Sequence, residues 1–241
     1  MIETGLEHYF GSKGARGTLA QIANRIPPHD QRVSPFLGDC AVMRLLRPAG
    51  HNVGFEMDCE VVRAWKNATW NDSRFDIRND DFFTSSYARS LAMSAETFWF
   101  IDPPYLPETR GAKRYRYDMT REQHEQLLEL VQEIEGMVML CGYPSDLYDR
   151  ELSDWQRHEF TVTTRGGLRT EVLWMNYYLA DTLHDYSFLG DNRRQREVIK
   201  RRRETIIGKI GRLPAMERLA ILQAIYDDYQ DEIRLLDRPL F

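Results

Sequence analysis

Four consecutive bulky apolar residues, Phe98-Trp99-Phe100-Ile101, run directly into Asp102-Pro103-Pro104-Tyr105. The apolar run is too short for a helix and has the length of a buried strand. The turn at its end is stiff, because each proline fixes its own φ and carries no N–H. A proline also pushes the residue before it out of the helical region. The turn therefore offers free carbonyls and few amide donors. Asp102 and the Pro103 carbonyl can act as two acceptors aimed at one point, with Tyr105 as a flat apolar surface beside them. Such a set suits a planar heterocycle with an exocyclic amine, which donates twice and stacks once.

Strand-like runs alternate with helical periodicity along most of the chain, the pattern of an α/β fold. Residues 18–26 read as a helix stopped by Pro27 and Pro28, and 32–36 as a short strand entering a turn at Gly38. Residues 40–46 have helical character, 52–55 are a second strand with acids at its end, and 59–66 a following helix. Thr97–Ile101 is a third strand. Residues 120–134 are the clearest helix, opened by a capping box of Thr120 and Gln123 and closed at Gly136. Residues 137–141 form a further strand, and 160–164 with 170–176 a hairpin around Gly166 and Gly167. From about Leu179 the strands stop. Residues 192–210 read as a basic helix, and Met216, Leu219, Leu222, Tyr226, Tyr229 and Ile233 then recur at helical spacing. The division is a domain over 1–178 and a helical, partly basic extension over 179–241. The tail is either an appendage or an arm for a homodimer.

Composition narrows the partners. With 241 residues, 42% hydrophobic and 29% charged, the chain has material for one sizeable domain, or one with an appendage. No apolar stretch nears the roughly 18 residues of a membrane span, and the N-terminus shows no leader pattern. A cytosolic location without membrane contact is the expectation. Cys40, Cys59 and Cys141 are widely spaced and form no CxxC pair, and the six histidines show no ligand spacing. Buried thiols and metal-independent chemistry are expected. The net charge of −5 argues weakly against a nucleic-acid partner, but distribution matters more than the sum. Arg110, Lys113, Arg114 and Arg116 cluster just after the proline turn, and a second basic cluster spans 193–203.

Motif content and motif order together resemble the alpha-group, Dam-like DNA adenine-N6 methyltransferases that use S-adenosylmethionine. The likeness covers roughly the first three quarters of the chain. It starts at Tyr9-Phe10-Gly11-Ser12-Lys13-Gly14, similar to the family's N-terminal aromatic-x-Gly-Gly-Lys segment. Ser34-Pro35-Phe36-Leu37-Gly38 is similar to its cofactor turn, Glu56 sits where the family has an acid after its second strand, and Asp81-Phe82 matches a short Asp-Phe motif. Asp102-Pro103-Pro104-Tyr105 corresponds to the catalytic motif.

The resemblance implies a Rossmann-like class I methyltransferase fold, with a mixed, mostly parallel sheet ending in a β-hairpin. It implies S-adenosylmethionine as cofactor, held by Tyr9, Phe10, Lys13, Pro35, Phe36, Gly38, Glu56, Asp81, Phe82 and Asp102. Glu56 would accept from the ribose hydroxyls, Asp81 from the adenine amine, with Asp80 equal to it on spacing, and Lys13 would meet the cofactor's carboxylate. The implied substrate is an adenine flipped out of DNA, held by Asp102 to Tyr105, with Arg110, Lys113, Arg114 and Arg116 on the phosphates.

Two departures stand out. Cys40 occupies the place of the turn's second glycine. Only 61–96 is left for a target-recognition region, which implies reduced recognition or a contribution from the basic tail. RNA-adenine methylation and a non-catalytic cofactor- or DNA-binding subunit on the same fold are the alternatives. A small methylase without a nuclease domain suits a phage or a bacterial host, in protection, restriction-modification or regulation.

Overall fold

The computed structural model describes residues 2–6, 13–109, 116–164 and 167–237. Among these residues seven strands form one sheet: β1 (Gln31–Ser34), β2 (His51–Glu56), β3 (Phe75–Asn79), β4 (Thr97–Ile101), β5 (Met137–Gly142), β6 (Gln156–Thr164) and β7 (Gly167–Met175). Their order across the sheet is β3-β2-β1-β4-β5-β7-β6. The first five are parallel, while β7 runs antiparallel to both β5 and β6. The fold is thus α/β with a mostly parallel sheet closed by a hairpin. The chain reverses its direction of travel between β1 and β4, and in open sheets of this kind the crevice at such a reversal receives ligands.

Strand alternation divides the interior in two. Phe98 and Phe100 of β4 face one way, packed with α1 (Arg16–Ala23), α2 (Ala41–Leu45) and α3 (Cys59–Thr69). Trp99 and Ile101 face the other, against α4 (Ser86–Ala92), α5 (Arg121–Gln132) and α6 (Asp146–Glu151). All five β4 residues are buried, as a central strand covered on both faces must be. The expected capping box on α5 is present, with Thr120 accepting from Gln123 N–H and the Gln123 side chain accepting from Thr120 N–H.

Among the described residues β3, α4, α6 and a 3-10 turn over Pro107–Thr109 have no counterpart among the elements expected from sequence. Residues 61–96, expected to hold a reduced recognition region, are occupied by most of α3, by β3 and by α4, all layers of the sheet itself. The hairpin's first strand begins at Gln156 rather than at 160, because β6 is an edge strand, where polar residues such as Arg157 and Glu159 stay exposed.

A polar network lies inside the α1–α3 layer. Arg32 on β1 is fully enclosed, and its guanidinium donates to His29 Nε2 at 3.1 Å, Val42 O at 3.2 Å and Arg47 O at 3.1 Å. His29 Nδ1 lies 2.8 Å from Pro27 O and His184 Nε2 2.8 Å from Arg47 O, so each donates to a carbonyl, and His29, accepting from Arg32 at Nε2, is neutral. The two rings stack with centroids 3.9 Å apart. Asp185 Oδ2 accepts from Arg47 N–H, completing a clasp between the segment after β7 and the sheet.

Burial, then the nearby Arg32 charge, holds His29 well below the usual imidazole range and brings His184 down to about 3. The unfolded chain, with both near 6.5, therefore binds more protons than the folded one as the pH drops below that value. Stability is fully present above about pH 6.5 and declines below it, by up to about 1.4 kcal/mol per pH unit per ring. Urea unfolding at pH 7, 6 and 5 checks this above the carboxylate range. A flat profile there counts against it.

Candidate active site

Loops leaving the carboxyl ends of β1, β2, β3 and β4 enclose a cavity of about 170 Å³. Its walls include Lys13, the stretch from Pro35 to Ala41, Glu56, Asp80 to Phe83, Asp102 and Pro104, with Tyr117 to Met119 and Gln123 on the far side. Parallel register sets these ends side by side: Val33 is opposite both Val53 and Trp99, and Glu56 is opposite Asn79. The cavity sits beside the β1/β4 reversal point, where fold geometry alone would look for a ligand.

The β1 loop is fastened from two sides. Gly38 takes φ +44°, a left-handed conformation that suits a residue without Cβ. Its N–H donates to Glu56 Oε2 at 2.9 Å, and its carbonyl accepts from Trp65 Nε1 at 2.7 Å. Glu56 Oε1 accepts from Asp58 N–H, also at 2.9 Å. Each Glu56 oxygen therefore already serves a backbone amide, and the side chain also reaches the cavity wall. Burial raises the Glu56 carboxyl above its ordinary range, against the lowering effect of those amide bonds. Gly54 beneath leaves room for Leu37, whose Cδ2 would lie only 2.8 Å from a Cβ there. Cys40, in place of a second glycine, packs on the wall with its Sγ 3.6 Å from Ser34 Oγ, and burial pushes its thiol up to about 11.

After β3, Asp80 Oδ1 accepts from Asp81 N–H and Asp81 Oδ1 from Phe83 N–H, at 2.9 and 3.0 Å. Both acids reach the wall. Phe82 is buried with its ring 6.0 Å from those of Phe36 and Trp99, giving the cavity an aromatic side.

After β4, Asp102 faces the cavity with 19% of its side chain exposed. Lys13 Nζ lies 3.1 Å from Asp102 Oδ1, 4.0 Å from Glu171 Oε2 and 4.7 Å from the Tyr105 ring centroid. The ammonium expected to meet a cofactor carboxylate thus sits among two acids of the chain itself. Pro104 reaches the wall, whereas Pro103 is buried.

Tyr105 requires a correction. Its ring, expected to be a stacking surface, belongs to a side chain that is 7% exposed and does not line the cavity. Its hydroxyl donates to Glu171 Oε2, and its ring meets Tyr143 edge-on with centroids 4.6 Å apart. The half-buried Tyr143, not Tyr105, keeps part of its surface open. Glu171 is buried on β7, and burial lifts its carboxyl above the usual range while Lys13 and the Tyr105 hydroxyl oppose that. Neither Glu171 nor Tyr143 is marked by the sequence. Each is a single residue on or after an apolar strand, and only the hairpin's return brings Glu171 to β4.

Arg116 also differs from expectation. Instead of standing clear for phosphate, its guanidinium lies 3.2 Å from Asp58 Oδ2 and 3.5 Å from Glu60 Oε2, at the start of α3. Tyr9, Phe10, Arg110, Lys113 and Arg114 lie outside the described residues. Among the described residues, no cluster of three or more His, Cys, Asp or Glu could hold a metal ion, and no helix is long and apolar enough to cross a membrane.

No protein-family model and no curated protein matches the chain. Solved structures similar to it include a proposed RNA methyltransferase from Pyrococcus horikoshii, 13% identical over 73% of this chain and 88% of that one, with a TM-score of 0.44. A proposed methyltransferase from Streptococcus mutans, solved with SAH, is 8% identical over 65% and 95% of the two chains, with a TM-score of 0.46. Fibrillarin from Aeropyrum pernix, solved with natively bound S-adenosyl-L-methionine, is 12% identical over 68% and 74%, with a TM-score of 0.44. Likenesses of this size assign no residue role and no substrate.

Proposed function

We propose that this chain is an S-adenosylmethionine-dependent methyltransferase acting on the exocyclic amine of an adenine flipped out of DNA. One observation carries the reading. Lys13, Pro35, Phe36, Gly38, Glu56, Asp81, Phe82 and Asp102, far apart in sequence, line a single cavity. Its chemistry fits a nucleoside-bearing cofactor: an aromatic side for a ring, a tight glycine turn for close approach, and acids spaced for hydroxyl and amine donors.

When bound, the cofactor supplies a methyl group already activated by its sulfonium, so no covalent nucleophile is needed. The residues handle the weak partner, an amine whose lone pair is delocalised into its ring. Asp102, held at Oδ1 by Lys13, would accept an amine N–H and favour a pyramidal nitrogen. The same carboxylate stabilises positive charge as it develops there. In this reading the half-buried Tyr143, edge-on to Tyr105 and outside the cavity lining, is the aromatic surface open to the extruded base, with Tyr105 as its buried support. Stacking recovers about 1–3 kcal/mol per base, comparable with the few kcal/mol that unstacking costs.

The test is incubation with methyl-labelled S-adenosylmethionine and either DNA or RNA, followed by digestion to nucleosides. Label in N6-methyladenine from DNA is the expected result. Label confined to RNA adenine would change the substrate, and label in neither polymer would overturn the reading.

A further inference from the structure

Described residues beyond the clasp touch the body at few points, Phe188 packing on the α1–α3 core and Leu236 O accepting from the Arg47 guanidinium at 2.7 Å. Three helices occupy this stretch: α7 (Arg193–Gly211), α8 (Ala215–Asp228) and α9 (Gln230–Asp237). No residue from 186 to 236 is buried. Large apolar side chains nevertheless stand out on these helices, with Met216 79% and Ile207 64% exposed, and Ile206, Leu219, Leu222 and Tyr226 close behind.

On α8, Met216, Leu219, Leu222 and Tyr226 share one side, while Ile221 and Ile225 occupy the opposite one. Apolar residues thus stand on two sides of α8, between Glu217, Arg218 and Gln223, more apolar surface than a helix facing only water needs. At 14 residues α8 would also be marginal standing alone in water. Large exposed apolar side chains recur on all three helices, among them Ile206 and Ile207 on α7, Leu222 on α8 and Leu235 on α9, and accumulations of this kind mark interaction surfaces.

Charge identifies the occupant. α7 carries eight Lys and Arg against two Glu, whereas α8 and α9 together carry six Asp and Glu against two Arg. Two copies related by a twofold axis can set α7 of each against α8–α9 of the other, satisfying the same complementarity twice. A nucleic acid would match α7 alone. It would leave α8 uncovered and face the acids of α8–α9.

We propose that residues 192–237 are a dimerisation arm covered by the same arm of a second copy of this chain. The experiment is mass measurement by sedimentation velocity on the nuclease-treated full chain at micromolar concentration. The expected result is a particle of twice 28.4 kDa, and the double variant Leu219→Glu/Leu222→Glu should run at half that mass. A wild-type chain that stays monomeric, or that grows only when an oligonucleotide is added, overturns the proposal. A second pair of variants guards against misfolding of the first. Arg201→Glu/Arg202→Glu and Asp227→Lys/Asp228→Lys chains should each be monomeric alone and dimeric when mixed. If each remains a dimer by itself, the charge pairing is wrong and the proposal falls. Methyl transfer does not enter any of these readouts.

Discussion

Asp102→Ala is expected to lower methyl transfer by about 10²–10³-fold, the range seen when one preorganised electrostatic partner of a transition state is removed. Binding of S-adenosylmethionine should change only a few-fold, because the Gly38 turn, Glu56 and the Phe82 side remain. The fold should also persist. Lys13 keeps Glu171 within 4.0 Å once Asp102 is gone, so its ammonium is not left as an uncompensated buried charge. Single-turnover rates with labelled cofactor, set beside cofactor affinity by calorimetry, separate the two effects. A wild-type rate would remove Asp102 from the chemistry. A loss of rate matched by an equal loss of affinity would make it a cofactor ligand only.

Arg32→Met should lower stability by about 2–4 kcal/mol, two orphaned acceptors at about 1–3 kcal/mol each less the desolvation relieved. Methionine approximates the length of the side chain, so the loss is polar rather than volumetric. Two opposed effects decide its sign. Removing an enclosed charge relieves desolvation, strong enough here to bring the guanidinium down to about 10. Against that, His29 Nε2 and the Val42 carbonyl lose their donor, while the Arg47 carbonyl still has His184. Orphaned buried acceptors cost about 1–3 kcal/mol each, and bonds to a charged donor are the strong kind. The net effect is destabilising. Urea unfolding should show a lower midpoint with an unchanged slope, and a midpoint equal to wild type would refute the account. His29→Leu combined with Arg32→Met should recover part of the loss, since the pair then leaves fewer groups unmatched.

Legibility in the sequence tracks burial pattern. β4 is readable to both its ends because a strand covered on both faces is apolar throughout. α5 is readable because its capping box and its stripe of Leu127, Leu128 and Val131 agree. β3 is hidden because Phe75-Asp76-Ile77-Arg78-Asn79 lies at the sheet edge, where Asp76 and Arg78 remain near water and pair with each other. α4 and α6 are 7 and 6 residues long, too short for periodicity to register. In the site, residues attached to turns and strand ends are legible because their chemistry is local. Glu171 is not, since its meaning depends on an antiparallel return 66 positions after Tyr105. Tyr105 misleads for the same reason: nothing local to the proline turn says that an acid will arrive behind its ring.

The bracing of Gly38 has a bearing on how a ligand would arrive. A loop whose amide is tied to Glu56 and whose carbonyl is tied to Trp65 is already shaped before anything enters. Recognition then surrenders little chain freedom at that wall, so more of the contact energy survives as affinity. Association there would resemble a key meeting a cut lock more than a hand closing.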